Sequence, residues 1–348
     1  MIDVAETIEF DSRALVADAP ARSHASERGN EAPENGKPHN GAPQDGAPRN
    51  GAPRNGASQN GHAALAVRVT NAFTVDVEDY FQVQAFAGRI DRRTWDDYPS
   101  RVVPNTHRVL KLLETHQVRG TFFVLGWVAE RFPELVRDIQ RAGHEIGCHT
   151  YWHRLIYEQT PEEFRDDLRR ATRTLADITG ESIVAFRAPC FSIVEKSLWA
   201  VDVLIDEGYQ YDSSVFPVRH DTYGMPGAYR WPHMLHRTHG TLVEFPPSVR
   251  RMWKFNVPVA GGGYFRLLPL GFTSRSIEQI NHDQRHPFMF YIHPWELDPD
   301  QPRLPAPSWR SRFRHYQNLG STESKLDRLL AGHKFGTLTE ALPGHLRS

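Results

Sequence analysis

Five short segments carry residues whose types and spacing suit chemistry. Thr74-Val-Asp-Val-Glu-Asp79 puts three carboxylates, Asp76, Glu78 and Asp79, within four residues directly after an apolar run. Such crowding is costly unless a cation or a proton relieves it; the plainer alternative is a polar turn leaving a strand. His149-Thr-Tyr-Trp-His153 spaces two histidines at i, i+4. On a helical turn both imidazoles would share one face, as bidentate metal capture requires, although a bare pair of loop histidines gives the same pattern. Thr150 stands where the helical metalloprotease pattern has glutamate, so a general base must come from elsewhere. Arg187, in Phe186-Arg-Ala-Pro-Cys-Phe191, could grip a carboxylate bidentately and fix its orientation, or form a structural ion pair. Tyr211-Asp-Ser-Ser214 reads as a turn. In Tyr291-Ile-His-Pro-Trp-Glu296, His293 closes an apolar run, where a single histidine is more often structural than catalytic.

The elements that must position these groups alternate between two periods. Val67–Val75, Thr121–Leu125, Ile146–Cys148, Ile183–Phe186, Leu242–Phe245 and Phe288–Ile292 are short apolar runs of the length of buried strands. Helical patterns fall between them. Thr160-Pro-Glu-Glu163 is a capping box with proline at the first helical position, and Phe164, Leu168, Ala171, Leu175 and Ile178 make one stripe up to Gly180. Helices are also predicted from Pro133 to Ala142, closed by Gly143, and from Ser192 to Glu207, closed by Gly208. Strand–helix alternation over the stretch beyond Ala66 implies a mostly parallel sheet, closed or nearly so, with chemistry in loops at the carboxyl ends of its strands.

Composition narrows the function classes. The 348 residues carry a formal net charge of −1, so no global field favours nucleic acid or an anionic membrane. Basic residues Arg310, Arg312 and Arg314 sit among acids and aromatics and read as a mixed solvated surface. Two cysteines, Cys148 and Cys190, without a CxxC pair, argue against a disulfide scaffold and a thiolate zinc site. No run approaches 18 apolar residues, and the acidic N-terminus has no basic and apolar leader pattern, so a cytoplasmic protein without a membrane span is expected. From Asn35 to Gly61 a five-residue unit repeats (NGAPQ, DGAPR, NGAPR) with almost nothing apolar to bury, which predicts a disordered Gly/Pro/Asn-rich tail over residues 1–65.

The acid pair, HxxxH, R-x-P, D-S-S and x-I-H segments, in that order and each after a strand, resemble the polysaccharide deacetylase family (NodB-homology, carbohydrate esterase family four) over roughly residues 70–300. The resemblance implies an α/β fold: a distorted (β/α) barrel with a C-terminal extension, preceded by the disordered tail. The catalytic domain would span 66–300, with 301–348 packed on it. It further implies Asp76 as catalytic base, Arg187 as the residue orienting it, His293 as general acid and Asp212 as the aspartate tuning that histidine. The backbone N–H of Cys190 would face the oxyanion. His149 and His153 would be metal ligands. The family's adjacent aspartates are replaced here by Asp76-Val-Glu78-Asp79, so the third ligand is Glu78, by analogy with D-x-D relatives, or Asp79 if the strand bulges. One divalent metal ion, zinc by preference, is implied as cofactor and an N-acetylated polysaccharide or oligosaccharide as substrate. Trp295 and Tyr151, with Trp95 and Trp152, would stack on sugar rings or belong to the core. Gly262–Pro269, the HPWE run and the stretch to about Leu338 resemble a subgroup associated with bacterial exopolysaccharide and exosortase gene clusters. Two rival readings are a cyclic-amide hydrolase of the allantoinase type and a non-catalytic polysaccharide-binding protein.

Overall fold

The computed structural model describes residues 69–220, 223–305 and 308–347. The tail expected over residues 1–65 lies outside the described residues.

Strand β1 (Asn71–Val77) is buried at every position, as a strand covered on both faces must be. Helix α1 (Val102–Thr115) leads to β2 (Thr121–Val124). Helices α2 (Gly126–Arg131) and α3 (Pro133–Arg141) lead to β3 (Glu145–Cys148), α4 (Pro161–Thr179) to β4 (Ala185–Phe186), and α5 (Trp199–Asp206) to β5 (Tyr211–Asp212). Strands β6 (His233–Arg237) and β7 (Gly240–Glu244) pair antiparallel, and β8 (Val249–Met252) with β9 (Phe255–Pro258) makes a separate hairpin. Helices α6 (Gly262–Leu267) and α7 (Leu270–Glu278) precede β10 (Met289–Ile292). Then follow α8 (Trp309–Tyr316), α9 (Leu319–Gly332), β11 (Phe335–Gly336) and α10 (Leu338–Ala341).

The main sheet runs β10-β1-β2-β3-β4-β5-β7-β6, with β11 also on β1, and every pairing from β10 to β7 is parallel. Its two ends are drawn together by the chain on either side of the β8–β9 hairpin. The Met289 N–H donates to Ser248 Oγ, the Tyr291 N–H donates to the Ala260 carbonyl, and Gly261 bridges Tyr291 in parallel. Gly261 has φ +149° and a side-chain carbon there would lie 1.8 Å from the Tyr291 carbonyl oxygen, so only glycine permits this seam. The parallel α/β barrel expected from the sequence is therefore distorted at one place, where isolated contacts replace a ladder.

Helix α4 has the expected capping box, Thr160 with Glu163, and ends on Gly180 at φ 72°. Helix α5 differs: it begins at Trp199 and not at Ser192. Side chains compete for the intervening backbone: Ser192 Oγ accepts the Ile156 N–H, and Ser197 Oγ accepts the Val194 N–H and donates to the Ser192 carbonyl.

Candidate active site

Each site segment leaves the carboxyl end of a strand. Asp76 and Glu78 come from the end of β1, His149 follows β3, Arg187 follows β4, Ser213 follows β5 and His293 follows β10. The histidine pair is not on a helix. After β3 the chain bends, with Thr150 at φ 64° and His153 at φ 51°. Buried Asp167 of α4 accepts the Tyr151 and Trp152 N–H groups at 2.7 and 3.2 Å, and Thr150 Oγ1 accepts the His153 N–H. Arg92 donates to the carbonyls of Trp152 and His153. This left-handed bend, and not a shared helical face, turns both imidazoles inward, 5.3 Å apart between ring centres.

Glu78, His149 and His153 each present a ligand atom within 4.8 Å of the others, all buried, and among the described residues no other such trio of His, Cys, Asp or Glu occurs. Glu78 Oε2 lies 2.9 Å from His153 Nε2, a close approach of two atoms that could each ligate one ion. The Nδ1 of His149 engages the Arg187 carbonyl at 2.8 Å, which fixes the tautomer and leaves Nε2 free to act as a ligand. Burial holds the His149 pKa down at about 4 against the pull of Asp76, so the imidazole is neutral. Burial would raise Glu78, but the adjacent His153, then His293 and His149, outweigh it and lower it to about 2. A neutral His149 beside an ionised Glu78 is what a divalent ion needs from those two groups.

Asp79 is directed elsewhere. Its carboxylate accepts from the backbone N–H groups of Tyr80, Arg101 and Val102 and from Ser100 Oγ, tying the loop after β1 to the start of α1. No bulge brings it to the histidines, and Glu78 occupies the third position.

Asp76 Oδ1 accepts from Arg187 Nη1 at 2.8 Å, and Arg187 is fully buried. The guanidinium is itself fixed by Thr74 Oγ1, the Ser213 carbonyl and Ser213 Oγ, and lies over the Phe123 ring. A single approach therefore orients Asp76, with Oδ2 left facing His293 Nε2 at 3.8 Å.

His293 does not pair with Asp212. Its Nδ1 meets Glu296 Oε1 at 2.8 Å, inside a single tight turn from Pro294 to Leu297. Burial disfavours the imidazolium, but the hydrogen bond to Glu296 and the charges of Glu78, Glu296 and Asp76 prevail, raising the pKa to about 9. Glu296 is in turn held ionised by Arg266, whose Nε donates to Oε2 at 2.6 Å. Arg266 is buried and spends its remaining donors on the carbonyls of Arg314, His315 and Gln317. Asp212 instead hydrogen-bonds Glu244 and Ser214 deep beneath Arg187. Burial raises both carboxyl groups, and Asp212 raises Glu244 further, so the pair shares a proton held on Glu244.

Of the four aromatics proposed for sugar stacking, Trp95, Tyr151 and Trp295 are buried and only Trp152 is partly exposed. Trp295 is buried, its indole N–H donates to Glu78 Oε1 at 3.1 Å, and its ring is sandwiched between His293 and His315. Tyr151 is buried with Arg170 over its ring and its hydroxyl on Glu130. Trp295 thus orients Glu78, and Tyr151 packs. Cys190 takes φ 53°, followed by Phe191 at φ 52°. Burial pushes the Cys190 thiol up, and the charges of Glu78 and Asp76 raise it further. Two successive left-handed residues strain this segment beside the site. Asp167, Arg92, Arg266, Glu244 and Glu296 as the partner of His293 were not found by the sequence reasoning. Of these only Glu296 had a local signal, a carboxylate three residues after the histidine across a proline.

Residues 93–210 match the sequence model of the polysaccharide deacetylase family, and residues 213–343 match a domain of unknown function (DUF3473). The first span includes His149, His153 and Arg187 but neither Asp76 nor His293, which the sheet brings to them from β1 and β10. A peptidoglycan-N-acetylglucosamine deacetylase of Bacillus cereus is 34% identical over 131 residues, 36% of this chain and 46% of that protein. A chitooligosaccharide deacetylase of Azorhizobium caulinodans is 36% identical over 97 residues, 28% of this chain and 45% of the relative. The chain spans less than half the length of these curated relatives. A crystal structure assigned to a polysaccharide deacetylase of Mycobacterium smegmatis has the same fold, with a TM-score of 0.50 at 22% identity over 77% of this chain and 85% of that one. Over residues 93–210 the chain is therefore similar to polysaccharide deacetylases, and over residues 213–343 to a domain of unknown function.

Proposed function

We propose that the protein is a metal-dependent hydrolase that removes N-acetyl groups from amino-sugar residues of a polysaccharide. The observation that carries this reading is the convergence of three buried ligand atoms with an arginine-fixed carboxylate and a histidine whose Nε2 lies 3.8 Å from that carboxylate. The names of the relatives share one chemical feature, an N-acetylated amino sugar. The polymer we assign is a bacterial exopolysaccharide or its precursor, on the resemblance carried by Gly262–Pro269 and the HPWE run.

Glu78, His149 and His153 would hold the ion, with Trp295 fixing the carboxylate of Glu78 from behind. Bound there, a divalent ion, with zinc the best match to two imidazoles and a carboxylate, would polarise the acetyl carbonyl and acidify an attacking water. Asp76 takes the water's proton; Arg187 keeps its basic oxygen aimed and leaves it no rotamer to search. The Cys190 N–H receives the negative charge that develops on the carbonyl oxygen. An amine leaves poorly until protonated. His293, with Nδ1–H on Glu296, delivers a proton from Nε2 on the side away from Arg187. The products are acetate and a free amino sugar.

The test is acetate release by the full chain from N-acetylglucosamine oligomers, with native protein and Asp76→Asn compared. The variant should bind zinc as the native chain does and lose turnover by roughly 10²–10⁴-fold, the span of general-base catalysis. Undiminished turnover in the variant would remove Asp76 from the chemistry. A native chain that opened small cyclic amides but left every N-acetylated oligomer intact would overturn the reading itself.

A further inference from the structure

Between Glu244 and Glu278 the chain carries no acidic residue, while Arg250, Arg251, Lys254, Arg266 and Arg275 are all cationic. Only Arg266 of these is used in an ion pair among the described residues. The β8–β9 hairpin lies in this segment, and Arg251 to Phe255 at its tip are exposed without interruption. Trp253 is 95% exposed and Phe255 73%, with Met252 beside them. Large apolar side chains so fully presented to water are unusual on a soluble surface and mark a contact.

The hairpin is not a loose flap that happens to be caught open. Val249 pairs with Pro258 at its base, Asn256 Nδ2 donates to the Pro217 carbonyl at 2.7 Å, and the Arg250 guanidinium lies over Phe272. Trp253 takes φ 56°, in the left-handed region, which drives its ring outward at the turn. A further cation, Arg230, lies close enough to Arg251 to feel its charge, and one of its guanidinium nitrogens is buried with no partner. The neighbourhood is thus positively charged and uncompensated, on a chain whose formal net charge is −1.

We infer that the β8–β9 hairpin is a membrane-docking element that inserts Trp253, Phe255 and Met252 at the surface of an anionic lipid bilayer. Aromatic side chains flanked by Arg and Lys match a headgroup boundary, where rings enter the apolar edge and cations meet phosphates. A glycan would call for a concave or flat platform, whereas this tip is a convex wedge. No described helix is long and apolar enough to cross a membrane, so attachment through this hairpin would be peripheral. The inference does not rest on the deacetylase reading.

The experiment is sedimentation of the full chain with vesicles of phosphatidylcholine alone and of phosphatidylcholine with phosphatidylglycerol. Binding should appear on the anionic vesicles and weaken with salt, and Trp253→Ala/Phe255→Ala should lower it by about tenfold or more. Arg251→Glu/Lys254→Glu should abolish it. These side chains are exposed, so thermal unfolding of each variant should match the native chain; a brominated lipid that quenches native tryptophan fluorescence, but not that of Trp253→Ala, reports insertion without any comparison of folds. Equal sedimentation of native and variant chains, or none with anionic vesicles, would overturn the inference. So would a tip that binds only a soluble anionic polysaccharide, or that serves only to dimerise the chain in gel filtration.

Discussion

His293 owes its basicity to Glu296, three residues along the same turn, and not to the Asp212 that the family resemblance implied. Glu296→Gln removes the charge that favours the imidazolium. The histidine then loses its proton at lower pH, and because an acid must be protonated to expel the amine, the alkaline limb of kcat/KM should move to lower pH by about one unit or more. Asp212→Asn should leave that limb where it is, since Asp212 shares its proton with Glu244 beneath Arg187. Measuring both pH profiles on one N-acetylated oligomer decides the matter, and a limb that follows Asp212 alone would restore the pairing expected from the family resemblance. Asp76, Glu78, His149, His153, Arg187 and His293 were legible in the sequence because each stands where an apolar run stops. Glu296 was visible in the same run but mute: a carboxylate at i+3 points back at a histidine only when the chain makes a tight turn, and Pro294 sets that turn. The sugar-stacking role given to Trp295 and Tyr151 failed for a related reason. Residue type shows that a ring is large and amphipathic, not which way it faces.

Between β3 and α4 the two histidines proposed as metal ligands depend on a bend that no helical or strand period encodes. Asp167 supports it by accepting two successive N–H groups of the loop from within α4. Asp167→Ala leaves those N–H groups without partners, and should weaken zinc affinity by roughly 10–100-fold, the range seen when the outer support of a metal site is removed. Calorimetric zinc titration checks this; unchanged affinity would show that the bend holds itself. The i, i+4 spacing brought the two imidazoles together, as expected, but by another conformation, because two left-handed residues, Thr150 and His153, let a loop reach what a helix face would have reached. Long, strongly amphipathic elements such as α4 were read to within a residue. The β8–β9 hairpin was missed: its turn is Trp253-Lys254, with no Asn-Gly or Asp-Gly signal to mark it.

On the scale of the molecule, one buried arginine ties the C-terminal region to the turn that carries His293. Arg266 joins Glu296 to three backbone carbonyls of residues 314–317, so the acid, its partner and α8 form one connected unit. Arg266→Met should destabilise the fold by roughly 3–5 kcal/mol, because it leaves Glu296 buried and unpaired. Adding Glu296→Gln to it should recover much of that loss in thermal unfolding while the alkaline limb stays displaced, separating folding from chemistry. The central claim is that three buried side chains make this fold a metal enzyme, and it is tested most directly by acetate release from an N-acetylglucosamine oligomer as zinc is returned to chelator-treated full-length protein. Activity should be absent after chelation and rise to a plateau at one zinc per chain, with His153→Ala remaining inactive throughout. Full turnover without metal, or recovery of His153→Ala at the same stoichiometry, would contradict the account.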